Sequence, residues 1–458
     1  MLEADLPDPK TKASCSGGRD APEQPSSNRS ARLDGEKRVG ANVGLTRERL
    51  VMAVAGLATA AALAGATASA AGPAVHKVKL PSGLGKVEEV IAYKRSQLLL
   101  ASRYPPSLVR VNADGSLDRS FGDGGRAMAA GYGVTVLPDG KILLADAGAP
   151  PGEPSNRDAQ VTRLLSNGQA DPSFGTGGRA FVDLGGRLDS AKSTAIAPNG
   201  DVLVGGTRAN VYSRGSDATP AIARLNPDGS VDRSFGDDGV RVLRPYTESG
   251  VYDIAPAPDG GVIGLTGAEE VLGDELWKLT ADGSIDRSFG KRGVVALFVP
   301  SLRTGVVLLA EMEVLPNGRI LLAGTGEPGG AQPRPNLAEV TRLLPNGKVD
   351  RSYGHRGWAV AKIGSAFVEA MTTLPGGSLL LTASSYNSEN ETSQLDAVAF
   401  AGDGRLDRHF GRGGRLRLSL GGWNLAESVT ALGRRGVVAG RVGRHGGSWL
   451  LTLPPLHR

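Results

Sequence analysis

Six similar stretches rich in aspartate, glycine and serine are the residues in this chain whose types and spacing most suggest chemistry. The first, DGSLDRSFGDGGR, begins at Asp114 and also contains Asp118 and Asp123. Carboxylates at such close spacing are typical of calcium loops, which also require a Glu at the twelfth position. No Glu stands there, and other copies replace Asp123 with Thr176 or Lys291. We therefore predict no metal in these stretches.

A structural role explains the two residues that recur in all six copies, an Asp and an aromatic. The Asp can accept hydrogen bonds from the backbone amides that follow it, as in an Asx turn. The ring can fill the gap between neighbouring repeat units, where burial contributes about 1.5 to 3 kcal/mol. The residues of this structural repeat motif are Asp118, Phe121, Asp171, Phe174, Asp232, Phe235, Asp286, Phe289, Asp350, Tyr353, Asp407 and Phe410.

Motifs of known enzyme classes are missing. The five histidines form neither HExxH nor another spaced metal pair, and neither a P-loop nor GxSxG occurs. The GDGG and GRGG fragments lack the strand and helix that a dinucleotide site needs. We therefore predict no catalytic motif and no cofactor. A site assembled from scattered Asp, Arg and Tyr side chains stays open as an alternative.

The composition favours many short strands joined by tight turns. The chain has 66 glycines and 40% hydrophobic residues, but only 5% aromatic ones. The formal charge is +5, with the charges interspersed along the chain. Because neither a basic stripe nor an aromatic RNA-binding motif is present, we expect no nucleic-acid partner.

Each repeat unit contains four short strands, which we term A to D. The motif aromatics recur at intervals of 53, 61, 54, 64 and 57 residues. Before each motif stands a C strand such as SLVRV, and after it a D strand such as RAMAA. Hairpins such as GVTVLPDGKILLADAG supply strands A and B around a Pro-Asp-Gly turn. Four-stranded units at this period predict a β-propeller.

The ends of the chain predict seven blades. An A–B pair lies between Glu88 and Ser102, before the first motif, and strands A, B and C follow the last motif without a D strand. The run AVHKVKLP, from Ala74 to Pro81, can supply that missing strand beside SWLLTL. We therefore predict an all-β, seven-bladed propeller of four-stranded antiparallel blades, the last closed by the N-terminal strand. Closure removes exposed sheet edges.

The composite RLxxDGxLDxSFGxxGxV, followed by aPDGkilvaG, resembles the delta-60 repeat, a family of exported bacterial repeats similar to NHL propeller units. The resemblance covers Glu88 to about Gly440. Three copies depart from it, at Pro172, Tyr353 and His409, and the last unit lacks the motif. The resemblance implies a secreted or surface propeller and no particular reaction.

The N-terminal region differs from the repeats. Residues 1–49 are polar and predict a disordered extension, and residues 50–70 form an uncharged stretch after Arg47 and Arg49 that ends in Ala-Ser-Ala. This pattern is typical of a signal peptide cleaved after Ala70, with the propeller in 71–458 and no stable membrane span after cleavage. An uncleaved anchor is the alternative. We also expect translation to begin at Val43, which would leave residues 1–42 untranslated.

The mature chain is expected to contain no cysteine, because the single cysteine, Cys15, precedes the cleavage site. We expect this chain to be a monomer that is secreted or held at the cell surface. Its function is expected on the face that carries the variable B–C and D–A loops. We predict a non-enzymatic scaffold that binds protein or glycan, and a hydrolase or lyase with an active site at the channel mouth as the alternative. Clustered acids, Arg and Tyr at that mouth would favour the enzyme, and a flat aromatic rim would favour binding. The predicted ligand-binding residues are Tyr212, Arg214, Tyr246, Glu248, Arg303, Tyr386 and Trp423.

Overall fold

The computed structural model describes residues 75–456, apart from 82–83, 85, 95, 104, 130, 211–217, 244–249, 268–273, 298–305, 328–335, 388–390, 421, 423, 443–446 and the side chains of 306–310. Every regular element in this part of the chain is a β-strand. None of the described residues belongs to a helix long and apolar enough to cross a membrane. The predicted extension (1–49) and signal segment (50–70) lie outside the described residues.

The strands form seven four-stranded antiparallel sheets, which confirms the predicted seven-bladed propeller. In blades 1 to 6 the four strands are consecutive along the chain and pair in the order A-B-C-D. Blades 1 to 3 comprise β2 (Glu89–Tyr93), β3 (Gln97–Arg103), β4 (Pro106–Asn112) and β5 (Arg126–Ala127); β6 (Gly133–Val136), β7 (Ile142–Gly148), β8 (Asp158–Leu164) and β9 (Arg179–Val182); and β10 (Ser190–Ile196), β11 (Val202–Arg208), β12 (Thr219–Leu225) and β13 (Val240–Val242).

Blades 4 to 6 repeat this order, and blade 7 takes its fourth strand from the N-terminal side. The members of these blades are β14 (Val251–Pro256), β15 (Val262–Thr266), β16 (Glu275–Leu279) and β17 (Val294–Ala296); β18 (Val306–Val314), β19 (Ile320–Glu327), β20 (Asn336–Leu343) and β21 (Trp358–Gly364); β22 (Phe367–Thr373), β23 (Leu379–Asn387), β24 (Thr392–Phe400) and β25 (Arg415–Ser419); and β26 (Asn424–Leu432), β27 (Arg435–Val442), β28 (Ser448–Pro455) and β1 (His76–Val78).

The ring is closed by β1, as predicted. Strand β1 pairs antiparallel with β28, with His76 opposite Thr452 and Val78 opposite Leu450. Val78 is buried with Leu98 and Leu450 between blades 7 and 1. Because β1 and β28 share one sheet, blade 7 has four strands, like the other blades.

The A strands are innermost. Each contacts the A strands of both neighbouring blades, from β2 through β6, β10, β14, β18, β22 and β26 and back to β2. The apolar core lies between the blades in seven clusters, each built from two adjacent sheets. The strands are therefore apolar on both faces, as in β3, whose central five residues are all buried.

The repeat-motif residues lie where consecutive blades join. All six Asp side chains accept a hydrogen bond from the backbone N–H two residues later, for example Ser120 N to Asp118 Oδ1 at 3.0 Å. All six rings are buried, and Phe121 packs among residues of blades 1 and 2. The next blade adds a backbone bond here, from Gly122 N to Asn167 O at 2.5 Å. The motif therefore acts as a joint between blades.

A basic residue eight positions before the motif Asp completes five of these joints. Arg163 donates to Asp171 Oδ2 at 2.7 Å, lies over the Phe174 ring at 4.4 Å, and bonds the Pro227 carbonyl of the next blade. This basic residue is the first letter of the composite RLxxDGxLDxSFGxxGxV. The composite does not show that one guanidinium contacts three partners at once. The equivalent residues are Arg110, Arg163, Arg224, Lys278 and Arg342.

Candidate functional site

Six of the seven predicted ligand-binding residues, all but Tyr386, lie outside the described residues. Tyr386 is half-buried and belongs to β23. The stretch that we predicted as a B–C loop is therefore partly strand, because the β23–β24 pairing continues through Tyr386 and Ser393 to Asn387 and Thr392. The structure brings none of the other six into a described site.

The start of the A strands forms a different group of side chains on the same face. Five described A strands, β10, β14, β18, β22 and β26, carry a β-bulge, and its extra residue is Lys192 in β10 and Tyr252 in β14. In blades 1 and 2 the equivalent position lies directly before the first paired residue of strand A. It is Glu88 before β2 and Tyr132 before β6. We call this set the mouth ring because the A strands surround the centre of the propeller. Its members are Glu88, Tyr132, Lys192, Tyr252, Glu369 and Glu427.

The aromatic side chain of Tyr132, in blade 2, contacts one cation from blade 1 and one from blade 3. The Nζ atom of Lys192 lies 3.7 Å from the centre of the Tyr132 ring, and the Arg103 guanidinium lies 5.0 Å from it. Such cation–π contacts contribute about 0.5 to 2 kcal/mol. Tyr132 and Tyr252 are 37% and 39% exposed, so both rings can also contact a ligand.

Carboxylates balance these cations. Glu88 accepts from Arg103 Nε at 2.7 Å and from Lys86 Nζ at 3.1 Å. Burial opposes the charged form of Glu88, but Arg103 and Lys86 outweigh it and hold its pKa below the usual value. Burial raises the pKa of Asp146 in β7, even though the charges of Arg157, Lys192 and Arg103 oppose the shift. The ring thus mixes both charges with aromatic surface.

Three further carboxylates converge beside this sector, and we call them the acidic triad. Oxygen atoms of Asp158, Asp183 and Asp189 lie within 4.8 Å of one another. Asp158 begins β8, and the other two belong to the connection between β9 and β10. Arg157 N bonds the Arg187 carbonyl at 3.0 Å, which ties the two connections together.

Burial raises the pKa of two members of the triad, Asp158 and Asp189. The pKa of Asp158 is raised to about 6 by burial and by the charges of Asp183 and Glu153. That of Asp189 is also raised to about 6 by burial, although Gly186, Ala209 and Leu184 donate backbone hydrogen bonds to it. These values allow proton exchange near neutral pH. Three oxygen donors could also hold a hard cation such as Ca²⁺.

Sequence reasoning named residues in the B–C and D–A loops and missed the mouth ring. A signal was available, since Tyr132, Lys192, Tyr252 and Glu369 each stand eight residues before the glycine of an A–B turn. That spacing is informative only when the bulge and the inward position of strand A are known.

Comparisons with known proteins agree on the architecture. Residues 104–121, 197–235 and 315–353 match a family described as a domain of unknown function (DUF5122) beta-propeller. These ranges form well under half of the chain, and they support a propeller-type repeat family. None of the curated proteins matches the sequence.

Solved propellers resemble the structure at low sequence identity. A selenomethionine-substituted virginiamycin B lyase from Staphylococcus aureus is 12% identical, with 83% of this chain and 99% of that chain covered and a TM-score of 0.45. The Nup133 beta-propeller domain of Vanderwaltozyma polyspora is 9% identical, with 85% and 99% covered and a TM-score of 0.42. YCF48 bound to a D1 peptide is 10% identical, with 85% and 99% covered and a TM-score of 0.40. Similarities of this size carry no argument about function.

Proposed function

We propose that this propeller is an exported binding scaffold that takes a protein or envelope glycan on its B–C and D–A loop face, with the mouth ring as its contact site. The observation that carries the proposal is the cluster of Tyr132, Lys192 and Arg103, which presents aromatic and cationic groups on a rigid sheet. Tyr and Arg dominate the energy of protein interfaces. Of the two ligand classes, the mouth ring therefore favours protein.

Capture from bacterial envelope extracts tests this proposal. The full chain should retain a ligand that the Tyr132→Ala/Lys192→Ala variant loses, because both changes remove contact surface without entering the apolar core. Arg119→Ala/Arg179→Ala, on the opposite face, is the control and should retain it. Protease treatment of the extract should abolish capture of a protein ligand and spare a glycan. Equal capture by both variants would contradict the proposal.

The acidic triad supports a second candidate function, a hydrolase or lyase. Two buried carboxylates with pKa values near 6 are suited to general acid–base chemistry. An enzyme of this kind should turn over members of a panel of glycosides, esters and lactones, with a pH–rate limb near 6. That limb should vanish in Asp158→Asn. If no substrate in the panel reacts, the binding scaffold stands.

A further inference from the structure

The C–D turns, which contain the repeat motif and lie on the face opposite to the B–C and D–A loops, differ in charge between blades 1 to 3 and blades 4 to 6. In blades 1 to 3, residues 113–126, 166–179 and 227–240 contain four Lys or Arg and eight Asp, a net charge of −4. In blades 4 to 6, residues 281–294, 345–358 and 402–415 contain ten Lys or Arg and five Asp, a net charge of +5. The chain spreads these charges over its length, and the ring gathers them along one arc.

The cations in the C–D turns of blades 4 and 5 are exposed, and they have no ionic partner in the part of the chain that the structure describes. Each of these two turns carries three Lys or Arg side chains, all in the exposed class. None of them takes part in an ion pair among the described residues. They are Arg287, Lys291, Arg292, Lys348, Arg351 and Arg356.

Blade 6 extends this arc with Arg405, Arg408 and Arg412, all exposed. In the described part of the chain, Arg405 alone of these three forms an ion pair, with its Nη1 3.5 Å from Asp403. We call the nine side chains the basic arc. Unpaired surface cations at this density raise the local potential and attract anions.

Two of these arginines occupy a backbone conformation that favours glycine. The position three residues after the motif aromatic is Gly177 in blade 2 and Gly413 in blade 6, with φ of 61° and 65° in these sister turns. Arg292 and Arg356 stand at the same position with φ of 59° and 57°. An L-residue in this region costs about 1 to 2 kcal/mol. Among the described residues, these two side chains gain no partner in return.

Blade 3 shows how the same turn is neutralised elsewhere in the ring. There the position holds Asp238, which pairs with Arg233 at 2.7 Å. Blades 4 and 5 keep the first cation, Arg287 or Arg351, and place a second arginine where the acid would stand. The turn geometry thus accommodates an ion pair, and these two blades instead present two like charges.

We propose that the basic arc is a second interaction surface, which binds a linear anionic glycopolymer. Phosphate, sulfate or carboxylate groups repeated along a chain can each be matched by a cation of successive blades. Nucleic acid fits less well, because single strands need exposed aromatic rings for stacking. The rings of these turns, Phe289, Tyr353 and Phe410, are buried. This surface lies on the face opposite to the mouth ring and does not depend on the function proposed there.

Heparin, a linear anionic glycan, is the probe for a binding titration with the full chain at several salt concentrations. Arg292→Gly/Arg356→Gly restores the residue of the sister turns, so this variant should fold and melt no lower than wild type. Its affinity should fall roughly tenfold, and the slope of log affinity against log salt by about two. Arg292→Asp/Arg356→Asp recreates the blade 3 arrangement and should bind more weakly still.

Arg119→Ala/Arg179→Ala is the matched control, since it removes two exposed cations from the acidic half of the same face. It should bind heparin as wild type does. An equal loss in the control and in the glycine variant would overturn the proposal, since the binding would then follow net charge alone. Equal affinity for a duplex DNA of matched charge would overturn the choice of a glycopolymer. A salt-sensitive dimer without heparin binding would assign the basic arc to a second copy and would also overturn it.

Discussion

Single residues at the blade joints perform several tasks at once. Arg163 neutralises Asp171, covers the Phe174 ring and bonds the next blade, so one side chain links charge, packing and backbone. This joint explains why the Asp and the aromatic recur in all six copies, whereas the position two residues after the aromatic varies from copy to copy. The acidic appearance of the motif reflects turn formation and ion pairing.

The joint at blade 5 offers a clean test of the buried ring. Tyr353 is fully buried, and its hydroxyl has no hydrogen-bond partner among the residues that the structure describes. Tyr353→Phe should therefore leave the free energy of unfolding unchanged or raise it by about 1 kcal/mol, since a buried unsatisfied hydroxyl is removed. Phe235→Ala should lower it by roughly 3 to 5 kcal/mol, because a cavity replaces the ring. Urea titrations measure both, and a clear loss in Tyr353→Phe would contradict this view.

Glu339 in β20 gives a prediction about pH. It is 2% exposed, its Oε2 atom has no hydrogen-bond partner within the described ranges, and burial alone raises its pKa to about 7. Because the folded pKa lies above the unfolded value of about 4.3, this group costs stability as pH rises from 4 through 7. Relative to Glu339→Gln, wild type should lose about 3 kcal/mol between pH 4 and pH 8. A difference that stays constant with pH would refute the prediction.

At the scale of elements, turn glycines set how closely neighbouring blades approach. Gly168 has φ of 84°, and a Cβ there would lie 2.8 Å from the Phe121 ring and 2.9 Å from Gly122 N. Gly177 also has positive φ but has nothing within 4 Å of its Cβ direction. The first glycine is needed for both conformation and contact, and the second for conformation alone.

Alanine substitution should separate these two requirements. Gly177→Ala should cost about 1 kcal/mol, which is the strain of the left-handed conformation. Gly168→Ala should cost clearly more, roughly 3 kcal/mol, because the blade joint must open as well. Thermal unfolding monitored by circular dichroism measures both variants. Equal melting temperatures would show that the contact with Phe121 contributes nothing.

For the whole molecule, the decisive contact is the pairing of β1 with β28. At this joint Val78 takes the place of a motif aromatic, since the Gly115 turn of blade 1 lies against it. The ring then has no free edge between its first and last blades.

A charge at that joint should destabilise the entire ring. Val78→Asp should lower the free energy of unfolding by at least about 3 kcal/mol, because it buries a carboxylate without a partner. Lys77→Asp is the control, since Lys77 is exposed in the same strand, and it should change stability little. The midpoints of chemical unfolding compare the two. Similar midpoints would mean that β1 does not hold the ring closed.

The two proposed binding surfaces lie on opposite faces of one ring, so their relation is a property of the whole molecule. A ligand held at the mouth ring and a polymer held at the basic arc would be bridged by the propeller. Double variants with changes on both faces should lose both activities independently, since the surfaces share no side chain.

The sequence alone determined the number of blades, the four strands of each and the closing role of Ala74 to Pro81, because turns and strand periodicity are local properties that recur along the chain. Only the tertiary structure decided which side chains meet: Tyr132 with Lys192 and Arg103, and the cations of blades 4 to 6 along one arc. These groups are scattered over the chain, and ring closure is what makes them neighbours.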